Sequence, residues 1–410
     1  GDERVSQYLV SKGVVVVTAQ YRLGYLGFWS TGDDSCPDNI GLWDQTAALR
    51  WVRDNGRAFD GDVMNVTLFG QSAGGASVDL LTISPHSRDM FHKVIPMAGN
   101  ASCPWALHPD AVETCRSYAV KNLGIDDGGH TKEFLDRLRE VDAEAFATSM
   151  KVDSSMADKM RTEIGPRLDG AFFAAPLEEL RRDAVGKPRM VGCCEYEGLI
   201  MMMMDNKYTV NHLEELIAKN IPETVKDFKL HREELLKKLL KDGDDKEALK
   251  KAIGKVYSDG FLLLGTQKYV LDWLEAGEEC PIYLYSFDYF NPKSWGTLIG
   301  GLLMPFKAAT HCTELAYIFG VGIIHDFTFD DEDNEIMDRV TTMWSNFAKY
   351  GNPNGDPTIN PGKKHSFTWL PATKEFPQRS LAINKEMKPS LEFHEGRPYE
   401  LLKILEQKWD

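Results

Sequence analysis

The feature that most constrains the fold of this chain is one segment, residues 65–80, with the sequence NVTLFGQSAGGASVDL. Within it, Gly70-Gln71-Ser72-Ala73-Gly74 has the pattern G-x-S-x-G and directly follows the β-type residues 66–69. A strand can turn this abruptly into a helix only next to glycines, because a Cβ there would clash with the neighbouring strand and helix. The small residues from Gly75 onward suit a helix that packs closely. The segment therefore predicts a strand, a sharp turn and a helix, with Ser72 exposed at the tip of the turn.

The rest of the chain alternates short apolar runs with helical stretches, without a repeat or a low-complexity linker. Runs rich in β-branched and apolar residues predict buried strands at residues 14–21 (VVVVTAQY), 66–69, 93–97, 189–194 and 282–287. Helices separate these runs, and the plainest is predicted over residues 229–253. The alternation predicts an α/β fold with a mostly parallel central sheet flanked by helices, forming one domain over residues 1–410. Catalytic groups are then expected at the carboxyl ends of the strands.

The charge composition excludes several classes of function. The 410 residues carry 47 Lys and Arg against 62 Asp and Glu, a formal net charge of −15. Nucleic acids and anionic membrane surfaces select clustered positive charge, so we expect neither as a partner. No apolar run of about 18 residues is present, so we expect no membrane span. The seven cysteines form no Cys-x-x-Cys motif and no Cys/His cluster, so we expect no metal site.

Ser72 needs a base and a carboxylate to act as a nucleophile, because a serine hydroxyl reacts poorly until its proton is removed. The base is normally a histidine that a carboxylate orients, and with this type of turn the chain order is serine, acid, histidine. The downstream candidates are His311, His325, His365 and His394. His311 fits best, because it lies between a glycine-rich stretch and an apolar helix that would hold it in place. His365 and His394 lie in charged or proline-rich sequence that we expect at the surface.

The acid is expected where the predicted strand 189–194 ends. The chain continues there as Glu195-Tyr196-Glu197-Gly198, so two carboxylates follow the strand. Glu195 and Glu197 both fit the role of the acid, and their position alone does not separate them.

Several longer stretches carry a family resemblance: YLVSKGVVVVTAQYRLGYLGF, GLWDQTAALRWVRDN, FDGDVMNVTLFGQSAGGASV, VGCCEYEGL, HCTELAYIF and MWSNFAKYGNPNG. Together they resemble the type B carboxylesterase/cholinesterase family of α/β-hydrolases over nearly the whole chain. The resemblance implies Ser72 as the nucleophile, Glu197 as the acid and His311 as the base, with Glu314 three residues after the base. It also implies that the N–H of Ala73 donates to the oxyanion hole, and that neither a metal nor an organic cofactor takes part.

Two residues bear on the substrate pocket. Trp105 is similar to the acyl-pocket wall of the family, although core packing explains a tryptophan there equally well. The family usually has a glutamate immediately before the nucleophile, where this chain has Gln71. In the cholinesterases of the family that carboxylate helps to bind a cationic substrate, so its absence favours neutral esters over choline esters.

The resemblance further implies that part of the family's N-terminal region lies outside this chain. The chain begins with Gly1, and the family's H-G-G-G loop, whose glycines donate two oxyanion N–H groups, would lie before residue 14. The strand leading to that loop would lie between the strands predicted at residues 14–21 and 66–69. We therefore expect a fragment that lacks its first strands, and we expect residues 1–410 alone to be aggregation-prone and nearly inactive. If the family pattern holds, the protein is secreted or resides in the lumen of the endoplasmic reticulum.

These observations predict a serine carboxylic-ester hydrolase that acts through an acyl-enzyme on small, neutral ester substrates. Two alternatives stay open: a cholinesterase-like binding or adhesion protein without catalysis, and an inactive fragment of an esterase. The binding protein is the weaker alternative, because relatives of that kind typically lose the nucleophile, whereas this chain keeps Ser72, Glu197 and His311.

Overall fold

One six-stranded sheet organises the part of the chain that the computed structural model describes, which is residues 8–126, 131–147, 162–203, 207–241, 245–277, 280–294, 304–322, 327–356 and 367–407. The strands lie side by side in chain order: β1 Thr67–Gln71, β2 Lys93–Met97, β3 Arg189–Cys194, β4 Ile282–Phe287, β5 Ser380–Ile383 and β6 Lys388–Ser390. Strands β1 to β5 pair in parallel, and β6 pairs with β5 in the antiparallel direction. The predicted α/β class with a mostly parallel sheet is therefore confirmed.

Helices surround the sheet: α1 Gly24–Phe28, α2 Ile40–Asn55, α3 Ala73–Ile83, α4 Ala111–Tyr118, α5 Thr131–Arg139, α6 Ala143–Ala147, α7 Leu177–Asp183, α8 Val210–Asn220, α9 Phe228–Leu239, α10 Lys246–Ser258, α11 Leu264–Glu275, α12 Thr313–Phe319, α13 Asp331–Tyr350 and α14 Arg397–Leu405. None of these described helices combines the length and the apolar character that crossing a membrane requires.

Strands β2, β3 and β4 are buried on both faces of the sheet, which explains why they are continuous, largely apolar runs rather than alternating ones. Successive side chains of a strand point to opposite faces. In β2, Val94 packs into one apolar cluster and Ile95 into another, and in β4 the same division separates Leu284 from Tyr285. All four side chains are almost completely buried. The sheet therefore forms the middle layer of the fold, with helices on each side.

Four of the predicted strands are present. Strands β2, β3 and β4 have the predicted bounds, and β1 begins one residue later than predicted and runs on to Gln71. Strands β5 and β6 were not predicted, because they are only four and three residues long and lie at the far edge of the sheet.

The prediction of one helix over residues 229–253 is wrong. The structure has two helices there, α9 and α10, and residues 242–244 between them lie outside the described residues. Asp245 begins α10 as an N-cap, since its carboxylate accepts hydrogen bonds from the N–H groups of Glu247 and Ala248, each at 2.9 Å. A capping residue at this point favours a new helix start over continuation of the first helix.

The strand predicted at residues 14–21 is also wrong, because this segment pairs with no strand of the described sheet. Its backbone is irregular, and the side chains of Val15 and Val17 are 51% and 49% exposed rather than buried. β-branched residues favour an extended backbone, but a strand forms only where a neighbour accepts and donates its main-chain hydrogen bonds. The nearest strand, β1, is separated from this segment by a cleft.

The cleft runs along the free edge of β1. It has a volume of about 920 Å³, and residues 14–19 form one wall while β1 forms the other. In a parallel pair, alternate residues bond to the same neighbour. Val66 and Ser72 bond to the β2 side, through Lys93 N–H to the Val66 carbonyl and Ser72 N–H to the Met97 carbonyl. The main-chain groups of Thr67, Phe69 and Gln71 therefore face the cleft, and no described residue pairs with this edge.

An open strand edge beside exposed valines predicts self-association of residues 1–410 expressed alone. The double change Val15→Lys and Val17→Lys places two charges on the opposite wall, and we expect it to raise the monomer fraction measured by size-exclusion chromatography with light scattering. Leu230→Lys with Leu391→Lys is the matched control, since these leucines are equally exposed elsewhere. A chain of residues 1–410 that is monodisperse without these changes would contradict the prediction.

Candidate active site

Ser72 lies at the sharp turn between β1 and α3, as the glycine pattern predicts. Its backbone has φ 58° and ψ −122°, a conformation that non-glycine residues rarely adopt and that costs about 1–3 kcal/mol. Two main-chain hydrogen bonds hold it: the Ser72 N–H donates to the carbonyl of Met97, and the Ser72 carbonyl accepts from the N–H of Ala76, both at 2.9 Å. The turn projects the Ser72 hydroxyl beyond the carboxyl end of the sheet.

The glycines around Ser72 are sterically required. A Cβ on Gly70 would lie 2.5 Å from the carbonyl oxygen of Gly74, and a Cβ on Gly75 would lie 2.6 Å from that of Gly99. These distances are too short for any side chain, since the opposing atoms belong to the backbone. The pattern therefore encodes the close approach of β1, α3 and the segment after β2.

His311 reaches Ser72 from a loop 239 residues further along the chain. Its Nε2 lies 2.8 Å from the Ser72 Oγ, so the ring accepts the hydroxyl proton in a hydrogen bond. The next residue, Cys312, has a left-handed backbone with φ 70° and is the N-cap of α12. The loop that carries His311 therefore ends directly at this helix. His311 is 6% exposed, so packing fixes its ring.

Glu197 completes the chain of hydrogen bonds from the turn after β3. Its Oε2 accepts from the Nδ1–H of His311 at 2.6 Å, and its Oε1 accepts from the N–H of Cys194 at 2.6 Å. The side chain is fully buried, and both carboxylate oxygens have a donor. The structure therefore brings together Ser72, His311 and Glu197, the residues predicted as nucleophile, base and acid.

The electrostatics of the site favour a charged His311. Burial is the largest single influence and opposes the charged ring, but the adjacent Glu197 carboxylate and the Cys312 side chain together outweigh it and raise the pKa of His311 well above its ordinary value. A second carboxyl group lies close by: burial, followed by the charge of Glu197, raises the pKa of Glu314 to about 7. The Glu314 carboxyl accepts a hydrogen bond from the Cys194 thiol at 2.9 Å. Of these two carboxyl groups, only that of Glu197 contacts the histidine ring, and Glu314 interacts with the ring through its charge, without a contact.

Glu195, the competing acid, points into a different cavity. This cavity has a volume of about 170 Å³ and lies at the other side of the turn. Burial, followed by the charge of Asp288, raises the pKa of Glu195 to about 7. His394 lines the same cavity and contacts Ser286 Oγ at 3.2 Å. The structure therefore separates Glu195 from His311 and leaves Glu197 in contact with it.

Among the described residues the other candidate is His394, which is half-buried and lines the cavity just described rather than the site at Ser72. Desolvation there, followed by the charges of Arg397 and Lys255, lowers the pKa of His394 well below the ordinary value. His325 and His365 lie outside the described residues.

Ala73, the predicted oxyanion donor, is the first residue of α3. The first N–H groups of a helix have no acceptor within the helix, and the helix dipole gives this end a partial positive charge. The Ala73 N–H is therefore suited to an oxyanion that develops beside Ser72.

Gln71 contacts the ring of His311. Its Nε2 is 3.4 Å from both ring nitrogens of His311, and its Oε1 accepts from the Cys312 thiol at 3.1 Å. An amide at this position adds no charge beside the base. Gln71, which directly precedes Ser72, therefore contacts His311, and it also lines the cleft along β1.

Trp105 reaches the site through another aromatic residue. Its indole Nε1–H donates to the carbonyl of Phe261 at 2.8 Å, and the two rings lie 5.8 Å apart. The Phe261 ring in turn meets the His311 ring edge-on, with centroids 5.6 Å apart. Phe261 was not predicted from the sequence, since no local motif marks a residue that contacts two others 50 or more positions away.

Cys194 and Cys312 were also missed as site residues. Cys312 directly follows His311, and Cys194 lies three residues before Glu197. This closeness in the chain is the one sign in the sequence that the two cysteines belong to the site. Neither thiol was expected to donate to Glu314 or Gln71, because those contacts depend on how β3 and the loop before α12 meet. Among the described residues, no group of three His, Cys, Asp or Glu side chains is arranged to hold a metal ion.

Comparison with known proteins gives matches to a carboxylesterase family and to individual esterases and a lipase. The family model described as "Carboxylesterase family" matches residues 2–399. The chain is 38% identical to esterase cest-33 of Caenorhabditis elegans, over 98% of this chain and 71% of that protein. It is 30% identical to juvenile hormone esterase of Tribolium castaneum (86% of this chain, 65% of that protein) and 28% identical to bile salt-activated lipase of Bos taurus (91% and 62%). The chain thus spans between 62% and 71% of the length of these relatives.

The raised pKa of His311 predicts a specific pH dependence. The ring must be neutral to accept the proton of Ser72, so kcat/KM on an ester should rise with pH through a pKa above the ordinary histidine value of about 6.5. In Glu197→Gln the charge that raises this pKa is gone while burial, which lowers it, remains. We therefore expect the rise to move to lower pH and kcat/KM to fall by about 10³ or more.

The measurement is the pH–rate profile of the native full-length protein between about pH 5 and about pH 10. Glu195→Gln is the control, since Glu195 does not contact His311, and it should keep most of the activity. Full activity in Glu197→Gln together with loss in Glu195→Gln would transfer the role of the acid to Glu195.

Proposed function

Because the chain belongs to the carboxylesterase family, and so to a family of carboxylic ester hydrolases, we propose that it cleaves esters through an acyl-enzyme formed on Ser72. One observation carries the proposal: the continuous hydrogen bonds from Ser72 Oγ to His311 Nε2 and from His311 Nδ1 to Glu197 Oε2. This arrangement is the one that activates a serine in unrelated hydrolases.

The first half of the proposed reaction is acylation. Ser72 Oγ attacks the ester carbonyl carbon while its proton moves to His311 Nε2. The oxyanion that forms accepts a hydrogen bond from the Ala73 N–H at the amino end of α3, and Glu197 stabilises the imidazolium. His311 then donates its proton to the alkoxy oxygen, the C–O bond breaks, and the alcohol leaves with the acyl group bound to Ser72.

The second half is deacylation. A water molecule attacks the acyl carbon while His311 Nε2 accepts its proton. The second oxyanion collapses, the bond to Ser72 Oγ breaks, and His311 returns the proton to the serine. The carboxylic acid is released and the hydrogen bonds of the resting enzyme are restored.

We further propose that the preferred substrates are neutral esters. The side chain next to the nucleophile is the uncharged amide of Gln71, which lies 3.4 Å from His311. A quaternary ammonium group would gain no attraction from this position. The relatives compared above are named esterases and a lipase, and those names refer to their own substrates.

The alternative of a binding or adhesion protein without catalysis is the weaker reading of the site. A protein that only binds has no need of a strained serine, a buried carboxylate and a histidine between them. The backbone strain at Ser72 is the kind of local cost that functional sites carry.

Labelling by a fluorophosphonate, which traps activated serines, tests the nucleophile. We expect the native full-length protein to be labelled and Ser72→Ala to lose the label completely. Ser77→Ala is the matched control, because this serine lies in the same segment but its hydroxyl accepts a hydrogen bond from Gln45. Labelling that persists in Ser72→Ala would remove Ser72 from the mechanism, and an unlabelled native protein would favour the binding alternative.

The neutral-ester preference is tested with two esters of the same acid, phenyl acetate and acetylcholine. We expect the native protein to have a higher kcat/KM for phenyl acetate than for acetylcholine. We expect Gln71→Glu to lower the ratio of these two kcat/KM values about fivefold, because a partly screened negative charge close to the cationic substrate contributes about 1 kcal/mol. Gln71→Met is the neutral control. A clear preference of the native protein for acetylcholine would overturn the proposal.

A further inference from the structure

Cys312, the residue directly after the base, has a backbone conformation that suits glycine better than cysteine. Its φ is 70°, in the left-handed region where a Cβ is crowded and glycine is free of strain. The side chain is buried, and its thiol donates to the Oε1 of Gln71 at 3.1 Å. Strained residues cluster at functional sites, where the surrounding structure holds them. The thiol is therefore the part of this residue that a glycine could not replace.

The contact with Cys312 fixes the direction of the Gln71 amide. A protonated thiol donates through Sγ–H, and only the carbonyl oxygen of an amide can accept, since the NH2 group carries donors alone. Burial raises the pKa of the Cys312 thiol, so the thiol keeps its proton at neutral pH and remains a donor. With Oε1 held by the thiol, the Nε2 of the same amide faces His311.

The amide nitrogen of Gln71 lies over the face of the His311 ring. It is 3.4 Å from both ring nitrogens, and the in-plane direction of each is already taken, by Ser72 at Nε2 and by Glu197 at Nδ1. A nitrogen at this equal distance within the ring plane would overlap the ring carbon between the two nitrogens. N–H groups make weak but favourable contacts with aromatic faces. The amide therefore restrains the ring from rotating out of the plane that contains Ser72 and Glu197.

This restraint has its largest effect after Ser72 has been acylated. In the resting enzyme the neutral ring of His311 accepts the Ser72 proton, but an acylated Oγ carries no proton, so this hydrogen bond is lost in the acyl-enzyme. Glu197 then holds the ring at Nδ1 alone, while Nε2 must still point at the water whose proton it accepts. The contact of the Gln71 amide with the ring face does not depend on the serine proton, so it persists in the acyl-enzyme.

We propose that Cys312 is a positioning residue for deacylation: its thiol holds the Gln71 amide against the face of His311, and the amide keeps the base directed at the attacking water. This inference rests on the proposed function, because it concerns an acyl-enzyme formed on Ser72. The thiol itself forms no bond with the substrate and exchanges no proton in either half of the reaction. Its loss therefore slows release of the acyl group more than formation of the acyl-enzyme.

The experiment measures the two steps separately with p-nitrophenyl trimethylacetate, whose branched acyl group slows deacylation, and with the native full-length protein. Release of p-nitrophenol in the first turnover gives the acylation rate. The decay of the acyl-enzyme, followed by intact mass after excess ester is removed, gives the deacylation rate. In Cys312→Ala we expect deacylation to slow about fivefold, the effect of one lost neutral hydrogen bond, and acylation to change by less than about twofold. Where deacylation limits turnover, kcat and KM fall together and kcat/KM stays nearly constant.

Three further variants separate this role from a general structural one. Cys312→Ser should restore deacylation toward the native rate, because a hydroxyl also donates to Gln71 Oε1. Gln71→Met removes the amide at similar size and should slow deacylation at least as much as Cys312→Ala. Adding Cys312→Ala to Gln71→Met should then have no further effect, because the two side chains act as one unit. Cys115→Ala is the matched control, since this buried thiol contacts the N–H of Ser30 in place of a site residue.

Fluorophosphonate labelling reports whether the site of each variant is intact. If Cys312→Ala fails to label, Cys312→Gly, which suits the φ of 70°, takes its place, and loss of labelling in both overturns the proposal. Equal slowing of the two steps, unchanged rates, or failure of Cys312→Ser to restore deacylation overturns it as well. Absence from the native protein of an acyl group that depends on Ser72 would instead contradict the proposed function.

Discussion

The two hydrogen bonds of His311 join three segments that are more than 100 residues apart in the chain: the turn at Ser72, the turn at Glu197 and the loop before α12. They can form because β1 and β3 are parallel strands of one sheet, whose carboxyl ends meet at the same edge. The sheet supplies a rigid base, and the histidine spans the gap between two strand ends. Movement of either strand by about 1 Å would lengthen one of the two bonds, so the geometry of the site depends on the register of the sheet.

Burial gives these hydrogen bonds their chemical effect. Glu197 is completely removed from solvent, and its charge is satisfied by the Cys194 N–H and the His311 ring. Water does not screen this carboxylate, so it raises the pKa of His311 against the desolvation that would lower it. The neighbouring Glu314 lies in the same environment, and burial, followed by the charge of Glu197, raises its own pKa to about 7. Of these two carboxyl groups, only that of Glu197 contacts the His311 ring.

Several departures from regular backbone geometry lie around this site. Ser72 and Cys312 have left-handed backbones, and a π-helical turn carries Phe261. Each departure costs stability, and each directs a side chain toward the ring of His311. The same region borders the cleft along β1, where the main-chain groups of alternate residues face no described partner. The site therefore lies where the fold is locally strained and beside the edge of β1 that no described residue pairs with.

The amino-acid sequence by itself determined the local features: the turn around Ser72, because glycines are required where backbones meet, and strands β2 to β4, because buried strands are continuous apolar runs. It did not decide between Glu195 and Glu197 as the acid, since both follow the same strand and only the direction of the turn separates them. It also predicted a strand at residues 14–21, where the β-branched run is real but the described sheet offers no neighbour to pair with it. The contacts of Phe261 were equally out of reach. Tertiary structure decided that residues 14–21 pair with no described strand, that Glu197 rather than Glu195 contacts His311, and that Phe261 meets His311 and Trp105, because such contacts depend on residues distant in the chain.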